Sequence, residues 1–157
     1  MPSGKIHAFA TCVTAGALAP VICLTGQPIT TALGFAAGCM IGLVVTPDLD
    51  VRQRSTHAET IMRRSGGCLV GALWNLLWLP YAYLIPRHRH PLSHWPILGT
   101  VLRLVYLLAV PAVAWWVLGH IIALPVLPHL ALTPLIGWGI AGLALVDMLH
   151  YLMDRIF

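Results

Sequence analysis

The sequence predicts an all-α fold: a polytopic membrane helical bundle of about four transmembrane helices plus one interfacial or re-entrant segment, forming a single domain over residues 1–157. Three observations predict it. Apolar residues make up 59% of the chain and charged ones only 9%, with a mean hydropathy of +0.84, too little polar material to clothe a soluble domain. Four apolar runs, near 7–24, 29–46, 96–118 and 131–153, approach or exceed the about 20 residues that a helix needs to cross the hydrocarbon. The remaining polar residues gather in a few short motifs between those runs or at their ends.

The first run follows Lys5 and carries His7 at its start. Its Ala17-Leu18-Ala19 resembles a signal-peptide cleavage site, but Pro20 directly after it argues against cleavage, and removal would discard His7. Thr25-Gly26-Gln27-Pro28 reads as a tight turn into the second run, which ends in Pro47-Asp48-Leu49-Asp50. Residues 68–85 are long enough to span, yet Trp74, Asn75, Trp78, Pro80, Tyr81 and Tyr83 give them the indole and phenol content of the headgroup level. The stretch Pro86-Arg87-His88-Arg89-His90-Pro91-Leu92-Ser93-His94-Trp95 then sets three histidines within seven positions. Pro111 is expected to kink the third span. Thr133-Pro134 supplies an N-cap and a first-turn proline for the fourth. Trp115, Trp116 and Trp138 mark the opposite interface, and Cys12, Cys23, Cys39 and Cys68, scattered singly, pack as small hydrophobes.

Topology decides how residues 68–85 are placed. If they crossed, the histidine cluster and the aspartate motif would lie on opposite faces and could not meet. If they lie in the interface or re-enter, all polar motifs share one face. Every basic residue then falls on that face: Lys5, then Arg52, Arg54, Arg63 and Arg64, then Arg87, Arg89 and Arg103, then Arg155, with none in the loops near 25–28 and 119–130. The positive-inside rule makes that face, and both termini, cytoplasmic. The formal charge of +4 is thus a topological signal; the expected partner is the lipid bilayer, and no nucleic acid is expected.

The chain has only five acids, and four of them, Asp48, Asp50, Asp147 and Asp154, fall in two short motifs. In the four-span arrangement they meet His7, the His88–His94 stretch and His150 at one membrane level. Offsets of 3 and 7 residues put Asp147, His150 and Asp154 on one helical stripe. Asp147 would sit within the hydrocarbon's cytoplasmic third, where a lone carboxylate costs about 2.5–3.5 kcal/mol on insertion scales. A bound cation would offset that cost. Mixed imidazole and carboxylate donors suit zinc, and also iron or manganese, and nine candidate ligands suit two or three divalent ions better than one. Blander roles stand beside this reading. The fourth-span acids could serve a proton relay or pair with Arg155 or Arg103. Asp48 and Asp50 could be a solvated helix end, and His7 an interfacial residue. His57, His120 and His129 are read as structural, and Glu59 as a solvated loop residue.

The opening Met-Pro-Ser-Gly-Lys-Ile-His, then Thr-Pro-Asp-Leu-Asp-Val, Leu-Trp-Leu-Pro-Tyr, and His88-Arg89-x-x-x-Ser93-His94-x-Pro96 running on to Arg103, resemble in order a bacterial family of uncharacterised, predicted metal-binding membrane proteins. The resemblance covers roughly residues 1–107 and places the chain in a bacterial inner membrane. That family is similar to the membrane-bound metal-dependent hydrolases, and more distantly to zinc-dependent phospholipases C and fungal single-strand nucleases. The resemblance implies His7, Asp48, Asp50, His88 and His94 as ligands and leaves His90 on a variable position. Asp147, His150 and Asp154 rest mainly on the helical stripe. The implied reaction is metal-assisted hydrolysis of a phosphoester, with ions that bind phosphate oxygens and acidify water. Asp48 or Asp50 would be both ligand and base, and Arg52, Arg54, Arg87 and Arg89 would clamp the phosphate. Placement on the rim of a bundle suits a phospholipid headgroup.

The alternative from another class is a non-catalytic protein in which the ions tie the helices, or a complex with a partner, together. A divalent-metal transporter would want polar residues on both sides of the site, whereas the far half of this bundle is almost purely apolar. A di-iron oxidase usually shows several histidine boxes, and the His-Glu-x-x-His of a metalloprotease does not occur in the sequence.

Overall fold

A computed structural model describes residues 4–51, 56–122 and 132–156. Among them the chain forms α1 (Gly4–Leu24), α2 (Ile29–Ile41), a 3₁₀ turn (Pro47–Asp50), α3 (His57–Leu84), α4 (Pro91–His94), α5 (Pro96–Gly119) and α6 (Pro134–Ile156), with no strand among the described residues. Four of the helices, α1, α5, α6 and, counted as one across its bend, α3, are long and apolar enough to cross a membrane by length and composition. Their apolar side chains, such as Phe9, Leu69, Ile97 and Val113, largely face outward. That much exposed apolar surface is compatible with a lipid surround and ill suited to water.

The second expected span is shorter than its hydropathy promises. Helix α2 stops at Ile41 after 13 residues, about 20 Å against a hydrocarbon thickness of about 30 Å. Beyond it the chain passes through turns, and Pro47 excludes the helical region for Thr46, which is extended at φ −102° and ψ 160°. The short helix is held by its glycines. A Cβ on Gly38 would overlap the Gly139 carbonyl, one on Gly142 the Phe35 carbonyl, and one on Gly34 would come within 2.5 Å of the Leu135 oxygen. The α2 and α6 backbones therefore touch, as small residues allow in helices packed within lipid. Ala15, Phe35, Cys39, Leu143 and Val146 fill the space around that contact.

Helix α3 doubles back on itself. Gly67, at φ 80° and ψ −177°, is non-helical and divides it into arms 57–66 and 68–84. In a straight helix Ala58 and Tyr81 would be about 35 Å apart. Here Ala58 packs in one buried cluster with Val45, Leu49, Trp78, Tyr81 and Ile85. The chain thus enters and leaves α3 at the same end, beside the 3₁₀ turn, and the histidine stretch starts next to the aspartate motif.

The first turn of α3 is capped by Thr56, whose Oγ1 accepts from the Glu59 amide at 3.1 Å. Glu59, expected as a solvated loop residue, is buried in that turn and takes a hydrogen bond from Arg63 at 2.6 Å. Helix α5 runs on through Pro111. Arg52, Arg54 and His129 lie outside the described residues.

Candidate metal centre

Six donors from five places in the chain converge. His7 comes from the first turns of α1, Asp48 from the 3₁₀ turn, His88 from the loop after α3, His94 from the end of α4, and His150 and Asp154 from one face of α6. They form two groups, His7 with His150 and Asp154, and Asp48 with His88 and His94, in each of which the donor atoms lie within 4.8 Å of one another. Asp48 joins the groups: its Oδ1 is 3.6 Å from His150 Nε2 and 3.7 Å from His94 Nε2. Within the first group, His7 Nε2 is 3.4 Å from Asp154 Oδ1, and His150 Nε2 is 3.6 Å from Asp154 Oδ2.

These separations are too long for good hydrogen bonds. They match the about 3.4 Å expected between two donors that each bind one ion at about 2.1 Å in tetrahedral geometry. His94 Nε2 and His150 Nε2 are buried and make no hydrogen bond, while Asp154 Oδ2 is paired with the Arg89 guanidinium 3.0 Å away. Buried polar atoms left so are costly, and a divalent cation is the partner that this donor set fits. The His7 and His150 rings stack at 3.9 Å and 16°.

Asp50 stands behind the ligands and outside both groups. Its Oδ1 accepts from His88 Nδ1 at 2.7 Å, and its Oδ2 accepts from Ser93 Oγ at 2.6 Å and from the Arg89 amide at 3.2 Å. Ser93 Oγ in turn accepts from His94 Nδ1 at 2.8 Å. Both histidines are held through Nδ1, so Nε2 of each is left to ligate; carboxylates and hydroxyls behind metal-binding histidines characteristically do this. Asp50, expected as a ligand and a base, is placed to orient the histidines, since its oxygens accept from His88, Ser93 and the Arg89 amide and it belongs to neither donor group. Ser93 escaped the sequence reading, although its place between His90 and His94 was a signal.

Asp147 also leaves the expected ligand set. Its Oδ2 accepts from Thr100 Oγ1 and from Arg103 Nη2, and Arg103 is wholly buried. Nη1 of Arg103 donates to the Ser93 carbonyl at 2.8 Å, a close approach that requires glycine at 99, where a Cβ would overlap that carbonyl. The helical stripe is correct in direction, but Asp147 lies one turn deeper than His150 and finds a guanidinium there. Pairing with Arg103, the blander role, is the one realised. His90 caps α4, its Nδ1 accepting from the Leu92 amide at 3.2 Å, and belongs to neither group.

Two pKa shifts outside the helical spans follow from this layout. The hydrogen bond to Asp50 raises His88 above the ordinary histidine value, against the opposing effect of burial. Burial pushes the Asp48 carboxyl up, but the imidazoles of His150 and His94 outweigh it and hold Asp48 well below the usual carboxylate range. Asp48 is therefore anionic and ready to ligate. The site is closed on the protein side, where the His7, His94, His150 and Asp154 side chains are at most 10% accessible, and open at Asp48 (32%) and His88 (44%).

No curated protein and no solved structure matches the chain. A family profile does, over residues 2–157, and its description is "Uncharacterized metal-binding protein (DUF2227)". With nearly its whole length matched and two groups of convergent donors in its fold, the chain belongs to this family of metal-binding proteins.

Proposed function

We propose that the chain is a membrane-bound metal-dependent hydrolase of phosphoesters, working at the cytoplasmic face. The observation that carries this reading is the one-sided opening of the donor cluster. Structural metal sites are closed by protein ligands, whereas catalytic ones keep an accessible side, and this cluster is accessible at Asp48 and His88.

His7, His150 and Asp154 would hold one ion, His88 and His94 a second, with Asp48 shared between them; zinc suits the donors best, and manganese or iron also fit. Bound divalent ions would supply Lewis-acid activation of water and of the phosphoryl group. The protein's own contribution begins with Asp48, an ionised and partly accessible carboxylate that would orient the attacking water by accepting its hydrogen bond. Arg89, held 3.0 Å from Asp154 with its guanidinium partly exposed, is placed to pair with a phosphate oxygen. Asp50 and Ser93 keep the two histidines in the ligating tautomer. Lys5, Arg87, Arg89 and Arg155 flank this end of the bundle, which supports its cytoplasmic orientation.

A second reading has its own observation. The donors come from α1, the 3₁₀ turn, the loop after α3, α4 and α6, so ions there would also staple the bundle without catalysis. Elemental analysis of the wild type and Asp48→Ala, followed by assays on phosphodiester, phosphomonoester and lipid substrates, separates the two. Metal with turnover supports the hydrolase. Metal without turnover on any class assigns the staple, and no metal contradicts both.

A further inference from the structure

A cleft of about 230 Å³ opens between α4 and the last turn of α6, beside the donor cluster. It is lined by His94 and Asp154 of that cluster, by Arg89 and Arg155, and by Trp95 and Tyr151. We infer that this cleft is a phosphate-binding subsite, in which Arg155 and Arg89 together grip the phosphate group of a small or lipid phosphoester.

The charge comes first. Two guanidinium groups face one carboxylate, Asp154, which Arg89 already neutralises at 3.0 Å. Among the described residues no carboxylate pairs with Arg155, so an anion would complete the site. Geometry narrows the anion. A guanidinium offers parallel N–H donors that match two phosphate oxygens at once, and the two guanidiniums here have fixed bases. Arg89 is held at φ 64°, its amide donating to Asp50 at 3.2 Å, a backbone conformation that a non-glycine residue keeps only when its surroundings enforce it. Arg155 is steadied over the Tyr151 ring, its guanidinium carbon 5.2 Å from the centroid.

Size then limits the ligand. The cleft is smaller than the about 300–1,000 Å³ of pockets that enclose a drug-sized molecule. A phosphate group with a few neighbouring atoms fits, and a nucleotide does not. Apolar surface lies close by: Trp95 of the lining is more than half exposed, as are Ile97 and Ile156, which are near lining residues in the sequence. The ester's remainder can therefore lie outside the cleft as a lipid chain or as a short soluble group, and the phosphate is common to both.

The inference takes its meaning from the hydrolase reading, in that the cleft would hold the substrate next to the reacting atoms, but it is tested by binding alone. The metal-loaded full-length protein in phospholipid-free detergent would be titrated with inorganic phosphate, alone and against dihexanoyl phosphatidic acid. Wild type is expected to bind phosphate saturably. Arg155→Gln should weaken that binding about tenfold while keeping its metal content. Arg155→Lys, which keeps the charge and loses the fork, should weaken it several-fold. Displacement by the lipid at lower concentration than by phosphate identifies a headgroup ligand, and displacement by phosphate alone a soluble one; both support the subsite. Wild-type phosphate affinity in Arg155→Gln, or in Arg155→Lys should the glutamine variant fail to fold, overturns it. Intact, Arg155-dependent binding with no turnover on any phosphoester would overturn the hydrolase reading and leave the subsite standing.

Discussion

The Asp48 carboxylate lies 3.6 Å from His150 Nε2, too far for a good hydrogen bond and too close to be accidental for a buried nitrogen that makes no hydrogen bond. The same Oδ1 stands 3.7 Å from His94 Nε2, so one oxygen is the common neighbour of two histidines from different helices, α4 and α6. Asp48→Asn keeps the shape and removes the charge. It is expected to lower metal content to no more than one ion per chain, read by elemental analysis after dialysis; wild-type stoichiometry in this variant would remove Asp48 from the ligand set.

Asp50 should behave differently from its neighbour. Because its oxygens hold His88, Ser93 and the Arg89 amide, Asp50→Ala is expected to weaken metal affinity by about 10–100-fold without changing the stoichiometry at saturation. Chelator competition measures this. A lost ion at saturating metal would instead make Asp50 a ligand.

The Arg103–Asp147 pair is structural. Arg103→Met leaves the Asp147 carboxylate buried and uncompensated, at a cost of about 3–5 kcal/mol, and Arg103→Met combined with Asp147→Leu should recover most of that stability. The double variant should also retain its metal. Unfolding in detergent and elemental analysis read the two outcomes, and metal loss in a well-folded double variant would return Asp147 to the ligand set.

Metal retention should depend on pH with a definite sign. The Asp50 hydrogen bond raises His88 above its ordinary value, about 6.5. The pair therefore stabilises the metal-free protein below that raised pKa and loses its contribution as pH rises through it. Metal binding runs the other way, since an ion must displace the His88 proton. Affinity is expected to fall as pH drops through a value above about 6.5, and His88→Gln should flatten that part of the profile. An unchanged profile in His88→Gln would exclude His88 from the site.

Glycines give a control for the packing. Gly38→Ala places a methyl group on the Gly139 carbonyl, whereas Gly137→Ala meets nothing within 4 Å. The first should destabilise by about 1–3 kcal/mol or more, while the second should be neutral or gain up to about 1 kcal/mol from helix propensity. Equal unfolding midpoints would contradict the close α2–α6 contact.

Several of these relationships are legible in the sequence, and the others fail for physical reasons. His88 and His94 stand out because three histidines crowd into seven positions of so apolar a chain, and His150 with Asp154 because one helical turn separates them. Asp48 and Asp50 look equivalent in sequence. On a 3₁₀ turn, however, residues two apart point about 240° away from each other, so one faces the donor cluster and the other the histidine loop behind it. Hydropathy leaves residues 68–85 ambiguous because it measures composition and not direction; the reversal resides in Gly67, which Gly66 precedes as a paired breaker signal in the sequence. The α2–α6 contact was written as Gly34, Gly38 and Gly42 at four-residue spacing, a pattern of backbone approach that a search for apolar runs does not register. The helical stripe gave the face on which Asp147 lies, but its depth, and hence its pairing with Arg103, depends on how α5 and α6 pack.

Metal stoichiometry on the purified full-length protein is the most direct measurement. Elemental analysis of the wild type, beside His94→Ala, is predicted to find two divalent ions per chain in the first and at least one fewer in the second. A folded wild-type protein that carries no stoichiometric metal after purification, and takes up none when divalent ions are supplied, would contradict the reading of His7, Asp48, His88, His94, His150 and Asp154 as one metal centre.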